Sequence, residues 1–254
     1  MSVAPKRSLG QHFLVDENIL GVIGRLAELA PDDIVLEVGP GRGVLTRYLA
    51  ERVALVHTVE IDVALEPHLP SAPNVRLHFG DALQLDLAAL DPAPTKLVSN
   101  LPYNVATPIV VESLDGLPSI EHWCVMVQRE VADRFFAAPE TKAYGAVSAL
   151  VQLATQRTGF HPVSRSVFRP RPNVDSALVA FRRTGLPAEY PAVKRLVQAA
   201  FAHRRKTLPN SLELAGLVAR GRAAEALAAI GHPISTRAEA LAPEEFVALE
   251  EALR

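Results

Sequence analysis

Cysteine is almost absent from this chain. Cys124 is the only one in 254 residues, so no intrachain disulfide can form and no thiolate zinc cluster can be built. That usage fits a reducing compartment, and no metal is expected. Long apolar runs are also missing, since nothing approaches the ~18 residues that a membrane span requires. The opening Met1-Ser2-Val3-Ala4-Pro5-Lys6-Arg7 has neither the apolar stretch nor the cleavage site of a secretory leader. Cytoplasmic residence without a membrane partner is therefore expected. Internal repeats and low-complexity tracts are lacking too. What is present is 49% hydrophobic and 21% charged residues, an ordinary globular composition, at a length that allows one large core with a small appendage.

An excess of positive charge is lacking overall, because the formal net charge is −2. That figure alone argues against a nucleic-acid partner, but the distribution points the other way. Residues 1–156 carry 11 Lys and Arg against 19 Asp and Glu, residues 157–237 carry 14 against 4, and residues 238–254 carry 1 against 5. A dense basic block beside an acidic one is the charge pattern expected for gripping a phosphate backbone.

Along the chain, Asp16 can cap a helix whose apolar residues Ile19, Leu20, Ile23, Leu26, Ala27 and Ala30 recur at helical spacing before Pro31 stops it. Short β-branched runs follow at Ile34–Val38, Ala54–Glu60, Val75–Gly80, Lys96–Ser99 and Trp123–Gln128. They alternate with helical patterns at Val44–Glu51, Val105–Ser113 and Arg129–Phe136. Strands buried on both faces with helical crossovers predict a doubly wound, mainly parallel α/β sheet. Residues 156–164 and 176–183 read as an antiparallel hairpin at the sheet edge, flanking the proline-rich loop Arg165–Asp175. From Pro187 the pattern is helical only, near 190–202, 211–219, 222–230 and 243–253, punctuated by Pro209, Gly221 and Pro233. The expected division is 1–185, with residues 1–15 as an N-terminal arm, and a small all-helical domain over 186–254.

Directly after the first of these runs stands Glu37-Val38-Gly39-Pro40-Gly41-Arg42-Gly43, a turn in which glycine lets the backbone come close to a ligand. The third glycine of a dinucleotide fingerprint is replaced by Val44, so a nucleoside without phosphates suits the turn better. Glu60 ends the next run about twenty residues on, where a carboxylate can accept from both ribose hydroxyls. Asp81 emerges at the same carboxyl edge, where it can accept from an adenine amine. Together these features resemble the class I, Rossmann-like S-adenosylmethionine methyltransferases.

Ser99-Asn100-Leu101-Pro102-Tyr103 follows the fourth run. The N6 amine of adenine is a poor nucleophile because its lone pair is delocalised into the ring. If the Asn100 side-chain oxygen and the Leu101 carbonyl accept its two hydrogens, the nitrogen is drawn toward a tetrahedral geometry; Asn offers this acceptor without a negative charge. Pro102 fixes its own φ and biases Leu101 toward an extended conformation, and Tyr103 offers a stacking face for an extruded base.

This tetrapeptide resembles that of the N6-adenine amino methyltransferases. With it, Lys6–Leu14, Val167–Ala177 and Ala200–Leu212 resemble the bacterial small-subunit (16S) ribosomal RNA adenine N6,N6-dimethyltransferases, over nearly the whole chain. The resemblance implies S-adenosylmethionine held by His12, Leu14, Gly39, Gly41, Glu60, Asp81 and Asn100, and a target base held by Asn100, Leu101, Pro102 and Tyr103 with Phe168 as a second stacking surface. Arg204, Arg205 and Lys206 are the expected RNA contacts. The implied substrate is two adjacent adenines in the 3′-terminal hairpin loop of 16S rRNA, within an immature small ribosomal subunit, acted on by a monomer. Val63 and Pro209 depart from the pattern, where relatives often carry a basic residue and arginine respectively. Three other readings stay open on the residues: a dinucleotide oxidoreductase, a non-catalytic RNA-binding or ribosome-assembly protein on the same fold, and a large-subunit rRNA adenine dimethyltransferase.

Overall fold

A computed structural model describes residues 11–254; residues 1–10, most of the expected arm, lie outside the described residues. After a two-residue strand, β1 (Phe13–Leu14), comes α1 (Asn18–Leu26). The cap position is held by Glu17, without a side-chain hydrogen bond, rather than by Asp16; the Asp16 carboxylate accepts the Asn18 backbone N–H at 2.9 Å and so shapes the turn that leads into the helix. The helix ends earlier than the apolar spacing suggests. Glu28 has a φ of 47°, and the Asp33 carboxylate takes the Ala30 N–H at 2.6 Å, turning the chain out of the helix before Pro31.

The alternating runs become β2 (Ile34–Val38), α2 (Val44–Ala50), β3 (Leu55–Glu60), β4 (Val75–Phe79), β5 (Lys96–Asn100), α3 (Ala106–Gly116), β6 (His122–Gln128) and α4 (Arg129–Phe135). The chain continues through α5 (Ala146–Ala154), β7 (Thr155–Val163), β8 (Phe168–Arg169) and β9 (Ser176–Arg183). The main sheet has seven strands in the order β4-β3-β2-β5-β6-β9-β7. Strands β2 to β6 pair in parallel, and β9 returns antiparallel along β6 from Gln128↔Ser176 to His122↔Arg182. The expected doubly wound sheet with an antiparallel edge hairpin is the fold observed.

Both faces of the sheet are covered, which is why its strands read as continuous apolar runs. One face packs Val35, Val56, Val98, Cys124 and Leu178 under Ile19 and Ile23 of α1 and Leu45 and Leu49 of α2. On β6, Trp123 points the other way, stacks on Phe181 with ring centroids 5.3 Å apart and donates to the Ser113 hydroxyl of α3 at 2.8 Å. Cys124 is buried, and burial alone pushes its thiol up to about 12, so it acts as a small apolar residue rather than a nucleophile.

The chain divides into two compact units: residues up to Ala132 with Gln156–Arg183, and Asp133–Thr155 with Thr184–Arg254. The second unit thus takes in 133–155, which the boundary at 185 would have left with the sheet. The reason is packing. Tyr144 is fully buried, donates to the Leu241 carbonyl at 2.8 Å and meets Phe201 edge-on at 5.9 Å; α5 packs on α6 (Tyr190–Ala202) and α9 (Pro243–Leu253). Between these lie α7 (Leu208–Leu214) and α8 (Arg220–Ala229). Pro209 and Gly221 fall inside the first turns of α7 and α8 rather than between helices. A proline is tolerated there because its missing N–H has no partner to lose.

Candidate active site

The carboxyl ends of β2 to β5 and the N-terminal arm enclose a cavity of about 260 Å³, near the lower limit of small-molecule sites (~300 Å³). The glycine turn after β2 forms one wall. Gly39 and Gly41 have φ of 74° and 58°, a region that L side chains rarely occupy. A Cβ on Gly39 would lie 2.9 Å from Pro102, and one on Gly41 3.0 Å from the Phe13 ring. Any side chain there would wedge the turn away from the Asn-Leu-Pro-Tyr segment or from the arm, so the closeness of the cavity walls depends on glycine.

Three carboxylates line the cavity: Glu37, Glu60 and Asp81. Glu60 ends β3 and is buried, with one oxygen accepting the Asp62 N–H at 2.9 Å and the other the Gly41 N–H at 3.3 Å. Burial raises its carboxyl above the ordinary range, against the pull of these backbone donors. Asp81 uses one oxygen to accept the Leu83 N–H at 2.9 Å, which fixes the side chain at the strand end. Glu37 is not among the site residues expected from the sequence. It is 1% exposed, accepts from the Thr46 hydroxyl at 2.7 Å, and burial pushes its carboxyl up to about 8. The available signal is an acid in the middle of Ile34-Val35-Leu36-Glu37-Val38, an otherwise apolar buried strand.

Asn100, Leu101, Pro102 and Tyr103 all line the same cavity. Backbone pairing of the Leu101 N–H to the Met126 carbonyl at 3.1 Å and of the Val105 N–H to the Pro102 carbonyl at 3.1 Å holds the segment between β5 and α3. Among the described residues, neither the Asn100 amide nor the Leu101 carbonyl has a hydrogen-bond partner. Tyr103 is held by its hydroxyl, 2.6 Å from that of buried Ser176; burial raises its phenol above the usual range.

The arm supplies His12, Phe13 and Leu14 to the cavity, together with Gln11. It is fastened by β1 pairing antiparallel to β8, with Phe13↔Arg169 and Leu14↔Phe168, and by Gln11 donating to Asp62 at 3.1 Å. His12 Nδ1 lies 2.8 Å from the Pro170 carbonyl, which only accepts, so Nδ1 carries the proton. The His12 ring is 5.7 Å from that of Tyr103. Phe13 lies under the Arg42 guanidinium, 4.6 Å away.

Phe168 is not brought to the cavity. It is 0% exposed and belongs to the core beneath the sheet, with Leu14, Ile23 and Leu178. Its position opposite Leu14 in the β1–β8 pair turns the ring inward, so the stacking role expected of it is not available in this conformation.

In the helical unit Arg204, Arg205 and Lys206 follow α6 as an exposed run. Arg204 donates to the Tyr144 carbonyl at 2.8 Å and lies 3.7 Å from Glu239. It therefore braces its own unit, while Arg205 and Lys206 have no ion-pair partner among the described residues.

Residues 4–253 match the pattern of the family described as ribosomal RNA adenine dimethylase. The chain belongs to that family. Ribosomal RNA small subunit methyltransferase A of Rubrobacter xylanophilus is 51% identical over 250 residues, covering 96% of this chain and 94% of that one. Among solved structures, the 23S rRNA methyltransferase ErmE is 30% identical with a TM-score of 0.65, covering 95% of this chain and 99% of that one. A dimethyladenosine transferase from Plasmodium falciparum, 23% identical, covers 94% of this chain and 96% of that one with a TM-score of 0.77, and shows the shared fold. For a dimethylase of this family the two departures in sequence are structurally mild. Val63 is exposed, and Pro209 is buried in the first turn of α7. No helix among the described residues is long and apolar enough to cross a membrane, and no group of three metal-ligating side chains is found among them.

Proposed function

We propose that this dimethylase converts two adjacent adenines in the 3′-terminal hairpin loop of 16S rRNA to their N6,N6-dimethyl forms, acting as a cytoplasmic monomer on an immature small ribosomal subunit. The 51% identity to a small-subunit methyltransferase supports this substrate over the large-subunit one. The observation that carries the chemistry is the pair of unengaged acceptors, the Asn100 amide and the Leu101 carbonyl, on the wall of a cavity built for a nucleoside.

The residues present fit S-adenosylmethionine. Gly39 and Gly41 bring backbone close, Glu60 and Asp81 present carboxylates, and His12 and Leu14 close the arm side. Bound there, the group supplies an activated sulfonium methyl. In the first transfer Asn100 and Leu101 accept the two amine hydrogens and turn the nitrogen lone pair out of conjugation; in the second, the monomethyl amine has one N–H left for one of these acceptors. Tyr103, anchored by Ser176, offers its ring to the extruded base. Alignment supplies most of the acceleration, and no general base is required of the protein because the methylated cationic amine is acidic enough to lose its proton to water.

Asn100→Ala tests this directly. With labelled S-adenosylmethionine and unmethylated small subunits, transfer is expected to be lost while S-adenosylhomocysteine affinity stays within about tenfold, or ~1.4 kcal/mol. Loss of turnover explained wholly by weaker cofactor binding refutes the role. RNA binding without transfer by the wild-type protein favours a non-catalytic member of the family.

A further inference from the structure

The geometry points to a phosphate-binding rim formed by Arg169 and Arg171 on the proline-rich loop, which grips the backbone of the substrate strand beside the extruded base. This rests on the rRNA reading above. It adds a contact surface inside the sheet unit, separate from the Arg205–Lys206 run in the helical unit.

The loop 164–175 carries Arg165, Arg169 and Arg171 against a single acid, Asp175. That acid is already engaged, since it accepts the Arg165 N–H at 3.0 Å and lies 3.8 Å from the Arg165 guanidinium. Arg165 also donates to the Asn173 carbonyl at 2.8 Å and is thus part of the loop's own frame. Arg169 is exposed, and among the described residues its guanidinium donates only to the Ser166 and Phe168 carbonyls. These bonds orient the group and leave its charge uncompensated. Arg171 is exposed with no hydrogen bond or ion pair among the described residues.

Position makes these charges informative. Arg169 pairs with Phe13, and the Pro170 carbonyl accepts a hydrogen bond from His12 Nδ1; both His12 and Phe13 line the cavity. The loop ends at Ser176, which holds Tyr103. The two uncompensated cations therefore stand on the backbone that frames the base side of the cavity. The proposed cofactor carries no phosphate and is itself a cation, so it gives them no partner. A polyanion does. An extruded base leaves its sugar-phosphate backbone at the cavity mouth, where arginine forks match phosphate oxygens.

The test uses full-length protein with unmethylated small subunits and labelled S-adenosylmethionine across a salt series. Arg169→Gln/Arg171→Gln is expected to lower kcat/KM for the subunit about tenfold at low salt. It should also flatten the slope of log(kcat/KM) against log[salt] by about 1.4, because each phosphate neutralised on a single strand contributes roughly 0.7. S-adenosylhomocysteine affinity should stay within twofold. Arg171→Gln alone, at a position with no internal bond, should give about half the change in slope, and Arg169→Lys/Arg171→Lys should restore it. An unchanged slope in Arg171→Gln and in the double variant, with wild-type protein methylating normally, overturns the rim and leaves the rRNA reading intact. Absence of transfer by the wild-type protein overturns both.

Discussion

Replacing Glu37 by glutamine should change how stability depends on pH, and the size of the effect follows from burial. The Glu37 carboxyl sits near the end of β2, 1% exposed, with Thr46 as its side-chain donor. Burial moves its proton equilibrium from 4.5 to about 8. Between those values the folded state holds a proton that the unfolded state has released, so stability falls as pH rises and levels off above about 8. At about 1.4 kcal/mol per tenfold displacement, the total is on the order of 5 kcal/mol lost between pH 4.5 and 8. Glutamine has the same shape, can accept from Thr46 and does not titrate. Urea unfolding of both proteins at intervals from pH 5 to 9, followed by tryptophan fluorescence, gives the difference curve. Glu37→Gln should gain on the wild type steadily toward pH 8. The difference between proteins is the proper quantity, because His122 acts with opposite sign in an overlapping window. Its ring is buried with neither nitrogen hydrogen-bonded among the described residues, and burial lowers it to about 4, so it weakens the fold as pH falls below its unfolded value. Parallel stability curves for the two proteins would refute a protonated Glu37.

Phe168→Ala should destabilise the protein by about 3–5 kcal/mol, as expected for emptying a packed core position. At a temperature where the variant remains folded, kcat should fall far less than in Tyr103→Ala; a normal melting curve with a collapsed kcat would return Phe168 to the base site. Ser176→Ala and Tyr103→Phe remove opposite ends of one hydrogen bond. Each should cost about 1 kcal/mol of stability, and the double variant no more than the larger single effect. Additive losses would mean that the two hydroxyls do not act on each other.

The alternation of apolar strands with helices is legible because a sheet covered on both faces needs continuous hydrophobic runs, and β2 to β6 fall within about a residue of their expected ends. Gly39, Gly41, Glu60, Asp81 and the Asn100–Tyr103 segment are legible because all of them end strands on one edge, and the fold brings that edge to one cavity. The misplacements have a different origin. Phe168 is expected at the base from the family resemblance, and Arg204 at the RNA from its basic triplet, whereas a two-residue pairing with the arm buries the first and the Tyr144 carbonyl and Glu239 engage the second, which stays exposed. Neither long-range partner can be inferred from local pattern. Continuity of the chain assigns residues 133–155 to the sheet, while the burial of Tyr144 beneath Leu241 decides their unit. The Glu37 carboxyl is visible in the sequence, but beside Gly39 it reads as part of a glycine motif.

Because His12 reaches across 158 positions to Pro170, one wall of the cavity is made by partners that a growing chain synthesises at very different times. The β2 to β5 edge can assemble early, yet the arm has no strand to pair with until Phe168 and Arg169 have emerged. Contacts so far apart in sequence close slowly. A ligand that draws binding energy from the arm thus favours the finished polypeptide over its shorter nascent forms.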